Sequence, residues 1–116
     1  MIEQPTITMY RPCGPNELAL VVKSGYRAWP PRLPDQPIFY PVTNEKYAIE
    51  VNKWNVRQSG KGYVTKFDVK KSFVDNYEIQ QVGGSHHTEW WIPCEDLEGL
   101  NNNIVGLIEV IYEEEK

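Results

Sequence analysis

The sequence has few cysteines: Cys13 and Cys94 are the two among its 116 residues. Two cysteines are too few for the disulfide framework that holds many small secreted domains together. They are most simply two reduced thiols, although a single disulfide between them remains open. A chain of this length can bury a core without disulfide bonds or a structural metal, so folding requires neither.

Long apolar runs are also missing. The sequence contains no run of about 18 apolar residues and no basic N-terminal segment followed by an apolar stretch, which argues against a membrane span and a secretory signal. We therefore expect a cytoplasmic protein. Its net charge of −4 argues against non-specific nucleic-acid binding, because such binding depends on many lysines and arginines that contact phosphates.

The composition is that of a globular domain, with 41% apolar and 24% charged residues. No shift in composition and no Pro/Gly/Ser-rich linker divides the chain, which predicts one domain over residues 1–116. Aromatic residues make up 12% of the chain. Most of them are expected in the core, and some could line a pocket in which a flat ligand stacks.

The first half of the sequence predicts one strand and two helices. A short apolar stretch, Ile7 to Tyr10, predicts a strand that ends at Arg11 and Pro12. Pro15 and the apolar spacing after it predict a helix over 16–24. Thr43 or Asn44 caps a second helix that ends near residue 55. Its inner face is predicted to carry Tyr47, Ala48, Val51 and Trp54.

Residues 29–41 contain five prolines, too many missing amide donors for a helix or a central strand. This segment is predicted to be an ordered loop or lid. Its proline spacing also resembles a polyproline ligand, but Trp29, Phe39 and neighbouring apolar residues favour packing on the same domain.

The second half predicts mainly strands. Gly60 and Gly62 form a turn into the clearest strand, 63–69, in which apolar and charged positions alternate. After this strand, the sequence predicts a helical turn near Phe73, a strand over 79–82, a buried strand over 90–92, a helical turn over 95–100 and a strand over 104–112. The acidic tail that follows is predicted to fray. Helices in the first half and strands mainly in the second predict a segregated α+β fold.

Two segments carry a resemblance to a known family. They are Met9-Tyr10-Arg11-Pro12, followed by a helix, and His87-Thr88-Glu89-Trp90-Trp91-Ile92-Pro93. The order of segments over about residues 8–112 resembles a minimal ADP-ribosyltransferase domain, and the motifs are similar to those of small bacterial proteins of that type. The resemblance implies a compact fold with a split, antiparallel-rich β-sheet and two main helices, and NAD as cosubstrate.

Arg11 and Glu89 form the functional pair that the resemblance implies. An arginine at a strand end suits the NAD phosphates, because its planar group donates several hydrogen bonds. A carboxylate suits the nicotinamide ribose, because it stabilises positive charge as nicotinamide leaves. A structural ion pair, or two unrelated surface residues, is the simpler interpretation of the same two positions.

Four further residues enter through the same resemblance. Tyr40 and Tyr47 are predicted to flank nicotinamide, and Thr43 to supply the hydroxyl of the family's middle motif, unless it simply caps the helix. His87 occupies a position where many arginine-specific members carry Glu or Gln. It is a candidate base or acceptor-orienting residue, with a solvated loop histidine as the alternative.

The sequence argues against a metal site. His86, His87 and Cys94 are candidate ligands, but adjacent histidines on an extended segment point to opposite faces, and no other Cys or His cluster is present. Cys13 as a nucleophile with a histidine as its base is an equally weak hypothesis, since no third group that would orient the histidine can be identified.

Two other function classes stay open. The first is a non-catalytic binding or regulatory module with the same fold, favoured by the imperfect middle motif, for which the partner is a protein. The second is a domain that binds another nucleotide or an RNA end, with Arg11, Arg27 and Arg32 gathered around a phosphate. The acceptor of any transferred ADP-ribose cannot be identified from the sequence.

Overall fold

A computed structural model describes residues 5–33 and 35–116. The strands are β1 (Thr6–Cys13), β2 (Ile38–Phe39), β3 (Lys61–Lys70), β4 (Ile79–Gln81), β5 (Thr88–Trp90), β6 (Ile92–Pro93) and β7 (Ile104–Glu115). The helices are α1 (Pro15–Lys23), α2 (Glu45–Ser59), α3 (Lys71–Val74) and α4 (Leu97–Asn102), with a 3-10 turn at Cys94–Asp96.

The strands form three antiparallel groups, and the predicted α+β class is confirmed. The largest group is a sheet in the order β1-β3-β7, and β2 pairs with β6 and β4 with β5. Val42 joins two of these groups, because it forms an antiparallel bridge to Tyr10 of β1 and another to Glu89 of β5. The strand that carries Glu89 therefore lies beyond the outer edge of β1, with Val42 between the two strands.

Strand β1 is longer than predicted, because Pro12 does not end it. The strand continues to Cys13, and Pro12 pairs with Val64 of β3. The amide and carbonyl of Tyr10 both bond to Val42, on the side away from β3. Residue 12, two positions further, directs its nitrogen to the same side. The proline therefore removes no hydrogen bond between β1 and β3.

Helix α2 also differs from the prediction. Asn44 caps it as one of the two predicted caps, since its side-chain oxygen accepts a hydrogen bond of 2.8 Å from the Tyr47 amide. The helix continues to Ser59, past the predicted end near residue 55, and Gly60 ends it with a positive φ of 81°. Trp54 is 58% exposed, so the predicted inner face is wrong at that position.

The buried face of α2 is formed by Ala48, Asn52 and Val56, which lie at intervals of one helical turn. Asn52 is fully buried and packs against Gly62 at the start of β3. A Cβ atom added to Gly62 would lie 2.4 Å from Asn52 Oδ1, closer than real Cβ contacts. Gly62 is thus required by this close approach of helix and strand.

Strand β3 has the predicted alternation from Thr65 onwards, with Thr65, Phe67 and Val69 buried and Lys66 exposed. Before that point the alternation fails, because Val64 on the opposite face is also buried, where it packs with Ala48 of α2. The partner strand β7 is longer than predicted, because the acidic residues 113–115 continue the strand instead of fraying. They pair with residues 61–63, and Lys61 Nζ lies 3.5 Å from a carboxylate oxygen of Glu115. Opposite charges across the ladder support this end of the sheet.

The main core lies between β1, β3 and the proline-containing segment. Trp29 and Phe39 are buried there beside Phe67, which confirms that the described part of this segment packs on its own domain through these two residues. Trp91 is 45% exposed, so the prediction of one continuous buried strand over 90–92 is wrong there. Within the described residues, no helix is both long and apolar enough to cross a membrane.

Candidate functional site

Glu89 is a nearly buried carboxylate in the middle of β5, with 9% of its surface exposed. Because Tyr10, Val42 and Glu89 pair in register, their side chains lie on the face of the sheet that α2 covers. One carboxylate oxygen accepts a hydrogen bond of 2.8 Å from the Tyr47 hydroxyl. The other accepts one of 2.8 Å from Trp91 Nε1. The two donors fix the orientation of the carboxylate.

A cleft of about 320 Å³ opens beside Glu89. This volume is at the lower end of the range for small-molecule sites. The cleft combines an anionic group, two tyrosines and an amide side chain with apolar walls. Its lining residues are Arg11, Pro12, Tyr40, Val42, Tyr47, Val51, Asn55 and Glu89. Three predicted binding residues, Arg11, Tyr40 and Tyr47, thus border the same cleft as the predicted catalytic residue.

Tyr47 connects the cleft to the start of α2. It lies in the first turn of the helix, where the cap at Asn44 fixes its backbone. Burial, together with the hydrogen bond to Glu89 and the negative charges nearby, raises the pKa of the Tyr47 hydroxyl to about 12. The hydroxyl therefore stays protonated near neutral pH and donates to the carboxylate.

Arg11 borders the cleft, but its guanidinium lies on the opposite face of the sheet from Glu89. It follows Tyr10 in β1 and so points to the other side, where its Cζ atom lies 4.3 Å from the centre of the Phe39 ring. Glu17 of α1 accepts two hydrogen bonds from it, of 2.7 and 2.8 Å. Between the described residues, no hydrogen bond or ion pair joins Arg11 to Glu89.

A second arginine shares the same carboxylate. Arg32 Nη1 lies 3.5 Å from a Glu17 oxygen. Burial lowers the pKa of Arg32, and repulsion from Arg11 lowers it further. Arg11 and Arg32 therefore converge as the phosphate hypothesis predicts, but the anion between them is the carboxylate of Glu17. Arg27 is exposed.

Thr43 and Tyr40 have different surroundings. The Thr43 hydroxyl is hydrogen-bonded to that of Thr88, and its amide donates to the Thr88 carbonyl at 3.1 Å. Thr43 therefore links β5 to the segment before α2. The helix cap, which was the other role predicted for Thr43, is supplied by Asn44. Tyr40 is 42% exposed, at the rim of the cleft.

His86 and His87 lie in a tight turn, and this overturns the geometric argument against a metal. The His87 amide bonds back to the Gly84 carbonyl at 3.0 Å, so the segment is not extended. The two imidazole rings lie 4.3 Å apart between centres, and both nitrogens Nε2 face the carboxylate of Glu50 on α2. Cys94 is not a member of this cluster.

The two cysteines are free thiols, which agrees with the simpler sequence interpretation. Burial, with a smaller contribution from the negative charge of Glu17, raises the pKa of the Cys13 thiol to about 12. A thiol with so high a pKa supplies almost no thiolate near neutral pH, which makes Cys13 unsuited to nucleophilic chemistry.

Sequence reasoning missed three residues around these sites: Trp91, Glu17 and Glu50. Trp91 carried a usable signal, since it lies two residues from Glu89 in an extended segment and therefore on the same face. Glu17 and Glu50 lie on helices six and 37 positions away from their partners Arg11 and His87. Only the tertiary fold brings these carboxylates to them.

Comparisons with known proteins gave no match, whether to protein-family models, to curated proteins or to solved structures. A function for this domain is therefore inferred from the geometry of the cleft and from the sequence resemblance.

Proposed function

We propose that this domain is an NAD-dependent ADP-ribosyltransferase whose catalytic carboxylate is Glu89. The observation that carries the proposal is the environment of this residue: a nearly buried carboxylate, held by Tyr47 and Trp91, that borders a cleft with tyrosines. Each carboxylate oxygen keeps a free lone pair after accepting one hydrogen bond, so it can still bind a ribose hydroxyl. The motif resemblance supports the same assignment.

In the proposed reaction, the bond between the nicotinamide nitrogen and the ribose breaks, and its electron pair leaves with nicotinamide. Positive charge develops on the ribose. Glu89 stabilises this charge, because a preoriented anion in a largely water-excluded site interacts strongly with it. A nucleophile of the unidentified acceptor then bonds to the same ribose carbon and loses its proton. Tyr40 and Tyr47 supply aromatic surface for nicotinamide.

The cleft volume supports occupation by the nicotinamide ribose half of the dinucleotide, with the remainder over the exposed rim at Tyr40. Arg11 reaches a phosphate only if it leaves Glu17, because its guanidinium is engaged there and lies behind the sheet. His87 remains a candidate for orienting the acceptor, since its ring packs 4.9 Å from that of Tyr47.

A second candidate function is a non-catalytic binding module with the same fold. The specific observation in its favour is the bidentate ion pair of Arg11 with Glu17, which satisfies inside the protein the cation proposed for phosphate binding. Such a module would bind a protein partner or a nucleotide without breaking a bond.

Release of nicotinamide from NAD distinguishes the two functions. The wild type is compared with Glu89→Gln, which keeps the size of the side chain but removes its charge, and with Glu98→Gln, an exposed glutamate of α4 outside the cleft lining. For the enzyme we expect release by the wild type and by Glu98→Gln, and a loss of at least about a hundredfold in Glu89→Gln.

Equal turnover in Glu89→Gln would reject the assignment of the catalytic residue. Binding of NAD without release, measured by calorimetry on the wild type, would select the non-catalytic module. If NAD is neither bound nor cleaved, the proposal of an NAD-dependent function fails.

A further inference from the structure

We propose that Glu50, His86 and His87 form a binding site for a divalent transition metal, with Zn²⁺ as the expected ion. One ligand atom of each residue lies within 4.8 Å of those of the other two. Two imidazole nitrogens with one carboxylate suit zinc and its neighbours, whereas Mg²⁺ and Ca²⁺ prefer oxygen ligands.

The imidazole nitrogens of both histidines already lie close to the carboxylate. Nε2 of His86 is hydrogen-bonded to one oxygen of Glu50, and Nε2 of His87 lies 3.3 Å from the other. A tetrahedral zinc ion with bonds of about 2.0–2.2 Å holds its ligand atoms somewhat more than 3 Å apart. The hydrogen-bonded contact between His86 and Glu50 therefore has to widen to this separation. Both side chains are partly exposed, at 32% and 44%, so they can move this far.

Surrounding residues hold the site in place. The side-chain amide of Asn44 donates to the His86 carbonyl at 2.8 Å, which fixes the turn against the start of α2. The ring of Tyr47 packs on that of His87. A Cβ atom at Gly83 would lie 2.5 Å from His87 Nδ1, so glycine is needed there for the histidine to fold back. Supporting contacts of this kind orient metal ligands.

Metal binding also requires the turn that carries His87 to rearrange. The Gly84 amide donates a hydrogen bond of 2.8 Å to His87 Nδ1, so the neutral ring carries its proton on Nε2, facing Glu50. Coordination through Nε2 moves that ring proton to Nδ1, and the Gly84 amide must then turn away. The turn over residues 83–87 should therefore change shape when the metal binds.

The charges also fit a cation with an open coordination position. With both rings neutral, the three ligands carry one negative charge, which attracts a divalent ion, and metal binding competes with protons for them. All three side chains are between 30% and 44% exposed, which leaves room for water as a fourth ligand. Three protein ligands and a water are the arrangement of reactive zinc sites.

Calorimetric titration with Zn²⁺ tests the site without reference to any activity. The ligand variants are Glu50→Gln, His86→Gln and His87→Gln. The controls are Glu45→Gln, an exposed glutamate at the start of the same helix, and Cys94→Ser, which removes an exposed thiol that could bind zinc alone. We expect one site in the wild type and both controls, at least about tenfold weaker binding in each ligand variant, and no binding of Mg²⁺.

Equal Zn²⁺ binding by the wild type and all three ligand variants would overturn the proposal, as would loss of binding in Cys94→Ser. Nitrogen-15 spectra of the imidazoles give a second test, because the sequence contains only these two histidines. Zn²⁺ should shift Nε2 of both rings together with the Gly84 amide. A shift of one ring alone would reject a site with three ligands.

Discussion

Replacing Gly62 with alanine should destabilise the protein through a collision with one buried side chain. The added Cβ would lie 2.4 Å from Oδ1 of Asn52 and 2.9 Å from its Cγ. Asn52 has no exposed surface, so it cannot swing into solvent. Overpacking of this kind costs about 1–3 kcal/mol, and the smaller entropy of alanine in the unfolded chain returns about 0.4–1 kcal/mol. We expect a net loss of about 1–2 kcal/mol.

The decisive comparison is the same substitution in an Asn52→Ala background. Asn52→Ala removes the colliding atoms together with an amide nitrogen, Nδ2, that is buried with no hydrogen-bond partner in residues 5–33 and 35–116. Gly62→Ala should then be neutral or stabilising by up to about 1 kcal/mol, because only the entropy effect remains. The two substitutions should therefore couple by about 2 kcal/mol.

Urea unfolding of the wild type, the two single variants and the double variant measures this coupling. The slope of the free energy against urea concentration should stay constant, since all four proteins expose similar surface on unfolding. If Gly62→Ala costs the same with and without the Asn52 side chain, the collision is not the cause and the proposed packing of α2 on β3 is incorrect.

Two further predictions concern the charged and tyrosine contacts. Glu17→Gln should lower the free energy of unfolding by about 2–3 kcal/mol, because Arg11 and Arg32 would then adjoin each other without a compensating carboxylate. Urea unfolding measures this loss. A change below about 0.5 kcal/mol would contradict a stabilising ion pair. Tyr47 has a folded pKa of about 12, above its ordinary value of 10, so its contribution to stability is complete below pH 10 and is lost as pH rises towards 12. The difference in unfolding free energy between wild type and Tyr47→Phe should shrink in that window, and a difference that stays constant across it would contradict the raised pKa.

Much of the fold follows from local sequence patterns. The alternation in β3 and the cap at Asn44 depend on neighbouring residues, which is why both could be predicted. The inner face of α2 could not, because Asn52 is polar and its burial depends on a glycine in another element. Likewise, Pro12 is tolerated inside β1 because its nitrogen faces away from β3, a fact that requires the pairing partners to be known.

The candidate site was predictable to a similar degree. The motif around Glu89 marked the carboxylate, and the fold supplies it with two donors in Tyr47 and Trp91. The position of Arg11 was harder to foresee, since a one-residue shift along a strand reverses the face of its side chain. An extended backbone would point His86 and His87 to opposite faces, whereas the turn that begins with Gly83 and Gly84 folds them back to the same side.

The two bridges of Val42 have a mechanical consequence. Strand β5 is attached to β1 through this single residue and the few backbone hydrogen bonds beside it, whereas β1 and β3 pair along eight consecutive residues. Local opening follows the boundary with the fewest bonds to break. The seam at Val42 has few backbone bonds, but the side chain of Trp90 in β5 is buried in the main core. The hairpin that carries Glu89 is therefore held to the rest of the domain by side-chain contacts more than by backbone pairing, and any local opening there has to pull Trp90 out of the core.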